Sequence, residues 1–151
     1  MRDVGAGALV EHELVRDWST EGNGAFIRQG IAFNASSGHF TIKDAGIYVI
    51  YSRIVFENND VEDSEEDSLM ENSKMVFGHT ISSYSYNTYK NILEDEQLSD
   101  CVSEGGVVCY NSRLFSTLHL TKDATIAVRV RKSTFVSQRS RTSYFGLYKI
   151  D

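Results

Sequence analysis

The chain has 151 residues, 41 % of them hydrophobic and 24 % charged, which is enough for one globular domain, residues 1–151, with a core that needs no metal to hold it. No apolar run reaches the length of a membrane helix and no charged-then-apolar leader precedes the first predicted strand, so any leader or anchor is expected outside these residues. The net charge of −6, with few basic residues (Arg129, Arg131, Lys132, Arg139 and Arg141 among them), argues against nucleic-acid binding.

Ala8 to Leu14 reads as a first strand, and a polar segment follows with the single tryptophan, Trp18, expected to serve packing. Phe26-Ile27 and Ile31-Ala32-Phe33 flank Gly30. Phe40 and Ile42 then alternate with His39, Thr41 and Lys43 before a turn at Lys43-Asp44-Ala45-Gly46. Short strands separated by turn signals are the rhythm of an all-β sandwich. Asn34-Ala35-Ser36 is a sequon, which makes Asn34 a candidate glycosylation site.

Gly46-Ile47-Tyr48-Val49-Ile50-Tyr51-Ser52-Arg53-Ile54-Val55-Phe56 is the longest apolar and aromatic run. Alternate residues of a strand face opposite ways, so Ile47, Val49, Tyr51, Arg53 and Val55 share one face and Tyr48, Ile50, Ser52, Ile54 and Phe56 the other. Both faces are mostly apolar. An ordinary antiparallel strand has one wet face, so this one should be covered twice, by its own core and by another copy of the chain.

From Glu57 to Glu71 there are eight acids and no Lys or Arg, so this stretch alone carries −8 and the rest of the chain is +2. It reads as a solvated loop. Its acids lack the glycine and spacing of a calcium loop, and no metal is assigned to it.

Met75 to Ile81 resumes the strand pattern. Ser82 to Thr88, which contains Tyr84 and Tyr86, reads as a polar loop tip, and Tyr89 to Leu93 returns. Cys101 and Cys109 are separated by seven residues that include Gly-Gly, a segment able to fold back on itself. A local disulfide and an oxidising compartment follow from that. Two cysteines cannot make a zinc site, and His12, His39, His79 and His119 show no ligand spacing around them.

Leu114 to Leu120 and Thr125 to Val130 form a pair joined by Thr121-Lys122-Asp123-Ala124. In the second, Ile126, Val128 and Val130 alternate with Ala127, Arg129 and Arg131, the pattern of a half-buried strand. Ser137 to Thr142, with Arg139 and Arg141, is a basic loop, and Tyr144 to Ile150 closes the chain. Nine or ten strands and no helix are expected. No nucleophile elbow, phosphate loop, dinucleotide fingerprint or zinc-protease helix occurs, so neither an enzyme nor a cofactor is expected.

Gly46 to Ser52, preceded by Gly38-His39-Phe40-Thr41-Ile42 and followed at the end by Ser143-Tyr144-Phe145-Gly146-Leu147-Tyr148-Lys149-Ile150, resembles the ligand domain of the tumour necrosis factor superfamily. Leu118-His119-Leu120-Thr121-Lys122-Asp123-Ala124-Thr125-Ile126 is similar to that family's apolar strand meeting a charged turn. The motifs keep the family's order over nearly the whole chain.

The resemblance implies a ten-stranded jelly-roll sandwich, a three-fold homotrimer, and cysteine-rich receptors bound in the grooves between subunits. It further implies an extracellular cytokine, the ectodomain of a type II membrane protein that can be shed. By position, Val49, Tyr51, Tyr144 and Tyr148 match the family's trimer contacts. Tyr86 matches a receptor-contacting tyrosine in the family's D–E loop, with Tyr84 beside it and Arg139 and Arg141 as a polar rim. Where many members have Gly-Gly this chain has Phe115-Ser116, and Arg113 stands near a usual aromatic position. The cysteines, with Tyr110 after Cys109, look like those of the ectodysplasin, B-cell-activating-factor and Eiger branch. A C1q-like globular head, a trimeric target-recognition module, is the alternative with the same architecture, and a lectin-type jelly roll is a more distant one.

Overall fold

A computed structural model describes residues 12–15, 18, 30–58, 75–99, 108–137 and 143–151. The expected pair Phe26-Ile27, nearly all of the acidic stretch, Cys101, Arg139 and Arg141 lie outside the described residues.

Among the described residues there are nine strands: β1 (His12–Leu14), β2 (Ile31–Asn34), β3 (His39–Ile42), β4 (Gly46–Glu57), β5 (Met75–Ser85), β6 (Thr88–Ser99), β7 (Val108–Leu120), β8 (Thr125–Arg131) and β9 (Tyr144–Lys149). A single 3-10 turn, Ser133–Phe135, follows β8. The strands form two antiparallel sheets, one ordered β2-β3-β8-β5-β6 with β1 also on β8, the other β7-β4-β9. From β3 onward the chain passes repeatedly from one sheet to the other, as in a jelly roll.

The alternation of the sequence decides which side chains meet between the sheets. Tyr48, Ile50, Ile54 and Phe56 of β4, Leu114 and Leu120 of β7, Phe77 and Ile81 of β5, and Ile126, Val128 and Val130 of β8 all point inward and are buried. Burying each such side chain stabilises the fold by on the order of 1.5–3 kcal/mol. They form two apolar clusters, one around Ile50, Ile81, Leu114 and Ile126 and the other around Ile54, Phe56, Phe77 and Val130. Trp18 packs against both, as expected of a packing residue.

Between the clusters runs a polar layer that periodicity does not reveal. His79 of β5 is fully buried, with Nε2 2.9 Å from Ser52 Oγ and Nδ1 2.9 Å from Ser112 Oγ, both on the opposite sheet. Ser112 Oγ in turn donates to Asp95 Oδ2 at 2.6 Å, and the Tyr110 hydroxyl donates to the same oxygen. Because the Ser112 proton goes to the carboxylate, its oxygen accepts from Nδ1–H and Nε2 is left to accept from Ser52. The neutral imidazole therefore satisfies both ring nitrogens. Burial holds it neutral down to about pH 4 against the pull of Asp95, and burial together with the Asp95 hydrogen bond pushes Tyr110 up to about 12.

Two expectations are corrected. Ser82 to Ser85 continue β5, so the predicted loop tip shrinks to Tyr86-Asn87, because cross-strand pairing runs on to Ser85↔Thr88. Ser82 is wholly buried and its hydroxyl donates to Asn91 Oδ1 across the ladder, so the polar composition here accompanies a strand. Strand β8 is buried on both faces, with Ala127 and Arg129 covered as well. It is an inner strand flanked by β3, β1 and β5, and the Arg129 guanidinium folds over the Tyr89 ring at 4.4 Å. An arginine can bury its stem and ring-facing charge in this way where a periodic pattern would place it in water.

His79 makes stability depend on acid. With a pKa of about 4 folded and 6.5 unfolded, the imidazole binds fewer protons in the folded state throughout that interval. Its contribution is whole above pH 6.5 and is lost as pH falls towards 4, about 2 kcal/mol of it between pH 7 and pH 5. His79→Gln, which can still bond both serines, is expected to lose correspondingly less stability over that range in urea unfolding at fixed protein concentration. An equal loss in the variant and the wild type would assign the acid sensitivity to other groups.

Candidate functional site

Two surface features stand out from the sandwich. The first is the outward face of the sheet β7-β4-β9. Along β7 the inward residues alternate with exposed Asn111, Arg113, Phe115, Thr117 and His119. On β9, Tyr144 and Tyr148 point the same way, while Phe145 and Leu147 pack into the core. In register across β4, Val49 lies between Thr117 and Tyr148, Tyr51 between Phe115 and Gly146, and Arg53 between Arg113 and Tyr144. The four residues expected as trimer contacts, Val49, Tyr51, Tyr144 and Tyr148, therefore share one face.

The geometry of this face centres on Tyr51. Its ring lies over Gly146, where an added Cβ would overlap it. Tyr144 and Tyr148 meet the ring edge-on from either side, with centroids 6.0 and 6.4 Å away. Glycine at 146 is thus required by close approach of a side chain from the neighbouring strand. Phe115 is 70 % exposed, and Ile47, Tyr144 and Tyr148 are exposed beside it. Contiguous exposed aromatics of this kind mark an interaction surface. Sequence reasoning noted Phe115 as a departure from a Gly-Gly pair, and its pairing with Tyr51 places it on this face.

Arg53 and Arg113 face each other directly across β4 and β7, and Arg53 Nε donates to Asn111 Oδ1 at 3.1 Å. Like charges opposite one another oppose pairing by a few tenths to about 1 kcal/mol. The covered core on the other side of the sheet outweighs that.

The second feature is the β5–β6 hairpin. Tyr86 and Asn87 both have positive φ, 49° and 59°, as a two-residue hairpin turn requires. Asn tolerates that region, but Tyr does so only at a cost. Tyr86 is nevertheless 98 % exposed, so no packing explains the strain. The turn is held from below by the Tyr84 hydroxyl on Asn87 Oδ1 and by Thr88 Oγ1 on the Tyr86 carbonyl. Tyr84 itself lies in β5 and stacks against His39 and Tyr89, with centroids 4.6 and 4.8 Å away, so it supports the hairpin from the outer face of the larger sheet. The two tyrosines are close in the chain but differ in kind, Tyr84 packed and Tyr86 free.

Of the other candidate residues, Asn34 lies at the end of β2 before an exposed turn. Cys109 lies near the start of β7, and no cysteine among the described residues is free. Arg139, Arg141 and Cys101 lie outside the described residues.

The chemistry these groups can perform is recognition. Ser52, His79, Ser112 and Asp95 form a hydrogen-bonded chain reminiscent of a nucleophile relay, but Ser52 and His79 are sealed in the core where no substrate reaches. Among the described residues no three His, Cys, Asp or Glu side chains converge as a metal site, and no helix is long and apolar enough to cross a membrane.

Comparison with known families adds to the geometry. The sequence model of the TNF (Tumour Necrosis Factor) family matches residues 16–150. No curated protein matches the chain. The antiparallel sandwich and a match spanning nearly every residue lead to one conclusion: the chain belongs to the tumour necrosis factor family, a family of cytokine ligands and not of enzymes.

Proposed function

We propose that residues 1–151 form the single ectodomain of an extracellular ligand that assembles as a homotrimer and clusters cysteine-rich receptors of the tumour necrosis factor receptor family. The observation that carries this reading is the outward face of β7-β4-β9, where Phe115, Tyr144 and Tyr148 lie exposed around a half-buried Tyr51. Self-association through Val49, Tyr51, Tyr144 and Tyr148 covers that face, with Val49 already buried by its neighbours and the flanking aromatics left for a partner. Interfaces of obligate oligomers bury more than about 2,000 Å² and resemble a core cut in half, and aromatic residues are their usual anchors.

Receptor contact is assigned to Tyr86, with Tyr84 supporting its turn and Arg139 and Arg141 as a basic rim. A large, rigid aromatic with a polar tip is a frequent hot spot. The rim charges act on association rate and salt dependence more than on residence time. Presentation at the cell surface as a type II membrane protein, with or without shedding, completes the reading. A disulfide between Cys101 and Cys109 fits that compartment and is supported by the absence of a free thiol at Cys109. The placement of this pair, with Tyr110 following, favours the ectodysplasin, B-cell-activating-factor and Eiger branch. No observation favours a C1q-like head.

Tyr51→Glu is expected to leave a folded chain that sediments as a monomer, because it would place an unpaired carboxylate in the interface. A wild-type protein that is monomeric at micromolar concentration would remove the trimer. Cys101→Ser combined with Cys109→Ser should lower stability by up to about 2.5 kcal/mol, the chain entropy of a loop of about nine residues, and leave the trimer intact. Two free thiols in the unreduced protein by mass spectrometry would contradict the bridge. Tyr86→Asn keeps a residue suited to the turn, so melting should be unchanged or slightly raised. Receptor binding should weaken by more than about 1 kcal/mol. Equal affinity of mutant and wild-type trimers, by surface plasmon resonance, would take Tyr86 out of the contact.

A further inference from the structure

Asn34 closes β2 and begins a four-residue turn into β3. Its carbonyl accepts from Gly38 N at 2.7 Å, and Gly38 has the positive φ, 74°, that lets the chain return. The Asn34 side chain takes part in the turn through one atom only. Oδ1 accepts from Ser36 N at 3.0 Å, from Ser36 Oγ at 2.7 Å and from Ser37 N at 3.3 Å. The turn is thus an Asx turn, with the amide oxygen committed to the backbone. Nδ2 has no partner among the described residues and belongs to an exposed side chain, as do Ala35 and Ser36.

We propose that Asn34 carries an N-linked glycan on Nδ2, and that this glycan covers the β2 edge of the larger sheet. Nδ2 attacks the anomeric carbon of a lipid-pyrophosphate-linked oligosaccharide. The C–N bond forms as the bond from that carbon to the pyrophosphate oxygen breaks. The lipid pyrophosphate departs with the electron pair, and one amide proton is given up to a base of the transferring enzyme. The product keeps Oδ1, so all three hydrogen bonds of the turn survive the modification. A glycan therefore fits the folded turn without cost to it.

The place on the fold gives the glycan a use. Among the described strands β2 is the last of its sheet, and none of them pairs with its other edge. Such an edge invites pairing with another chain unless something covers it. The position leaves the outward face of β7-β4-β9 clear. β3 and β5 both run antiparallel to β8 and so point the same way, and the Asn34 turn precedes β3 while the Tyr86 turn follows β5. The two turns leave the sheet in opposite directions, although Asn34 pairs with His39, whose ring meets Tyr84 beneath the Tyr86 turn. The face of Tyr51 and Phe115 is on the other sheet. Because the transfer takes place in the secretory pathway, the glycan rests on the chain being extracellular.

The test is intact mass of the chain secreted from eukaryotic cells, before and after peptide N-glycosidase, beside Asn34→Asp and Ser36→Ala. Asn34→Asp keeps an oxygen for the turn but has no acceptor nitrogen, and Ser36→Ala breaks the sequon but keeps the asparagine. The expected result is a glycan-sized mass shift on the wild type, with Asn34 converted to Asp on enzymatic release, and the bare polypeptide mass for both variants. Wild-type protein of bare mass overturns the glycan, even if it is trimeric and binds receptor. A glycosylated protein that is monomeric and binds no receptor keeps the glycan and removes the proposed function instead. The released wild type and Asn34→Asp should also aggregate faster than the glycosylated chain. Equal aggregation of all three would reject the edge-covering role.

Discussion

Strand β4 hydrogen-bonds to β7 along one edge and to β9 along the other, and its inward residues Tyr48, Ile50, Ser52, Ile54 and Phe56 are all buried against the opposite sheet. Whatever the outward face of this strand presents is consequently held by the core behind it. Tyr51 can lie flat over Gly146 because β9 is locked in register with β4, and Phe115 is brought beside Tyr51 by the ladder to β7. The candidate assembly surface is thus the reverse side of the hydrophobic core. A change that loosens one would disturb the other.

The polar layer at His79 adds a constraint that apolar packing alone would not supply. Leucine and isoleucine clusters tolerate repacking and small slides of one sheet on the other. An imidazole that must meet Ser52 and Ser112 on two different strands of the facing sheet does not. A slip of two residues would put Ile50 and Leu114, or Ile54 and Tyr110, where the two serines stand, and an unmet buried polar group costs roughly 1–3 kcal/mol. Fully satisfied, the same network specifies a single stacking of the sheets. The weakness it introduces is towards acid, since the network is built for the neutral ring.

Local stability is given away at the proposed contact sites. Tyr86 occupies a left-handed turn position better suited to Asn or Gly and gains no burial from it. Phe115 and the outward tyrosines expose apolar surface that an isolated domain has no reason to keep. Arg53 and Arg113 stand opposite each other at the margin of the same face. Local rules are broken at these points while the core obeys them, which is the usual distribution around a site that meets a partner.

Alternation along Gly46 to Phe56, Leu114 to Leu120 and Tyr144 to Ile150 determines the strands, their inward residues and the doubly apolar character of β4, because the period of a strand is a property of the chain alone. The order of the motifs carried the family, and the match over residues 16–150 agrees with it. Only the tertiary structure decided that Ser82 to Ser85 are strand, since their composition is that of a loop and only the pairing with β6 distinguishes the two. It decided too that Arg129 is covered, because its neighbour Tyr89 comes from a strand forty residues away in sequence and periodicity carries no such pairing. His79 is the clearest case. In sequence it is a histidine among apolar residues with no spacing to any ligand, and its two serine partners become visible only when two sheets, built from distant segments, are laid face to face.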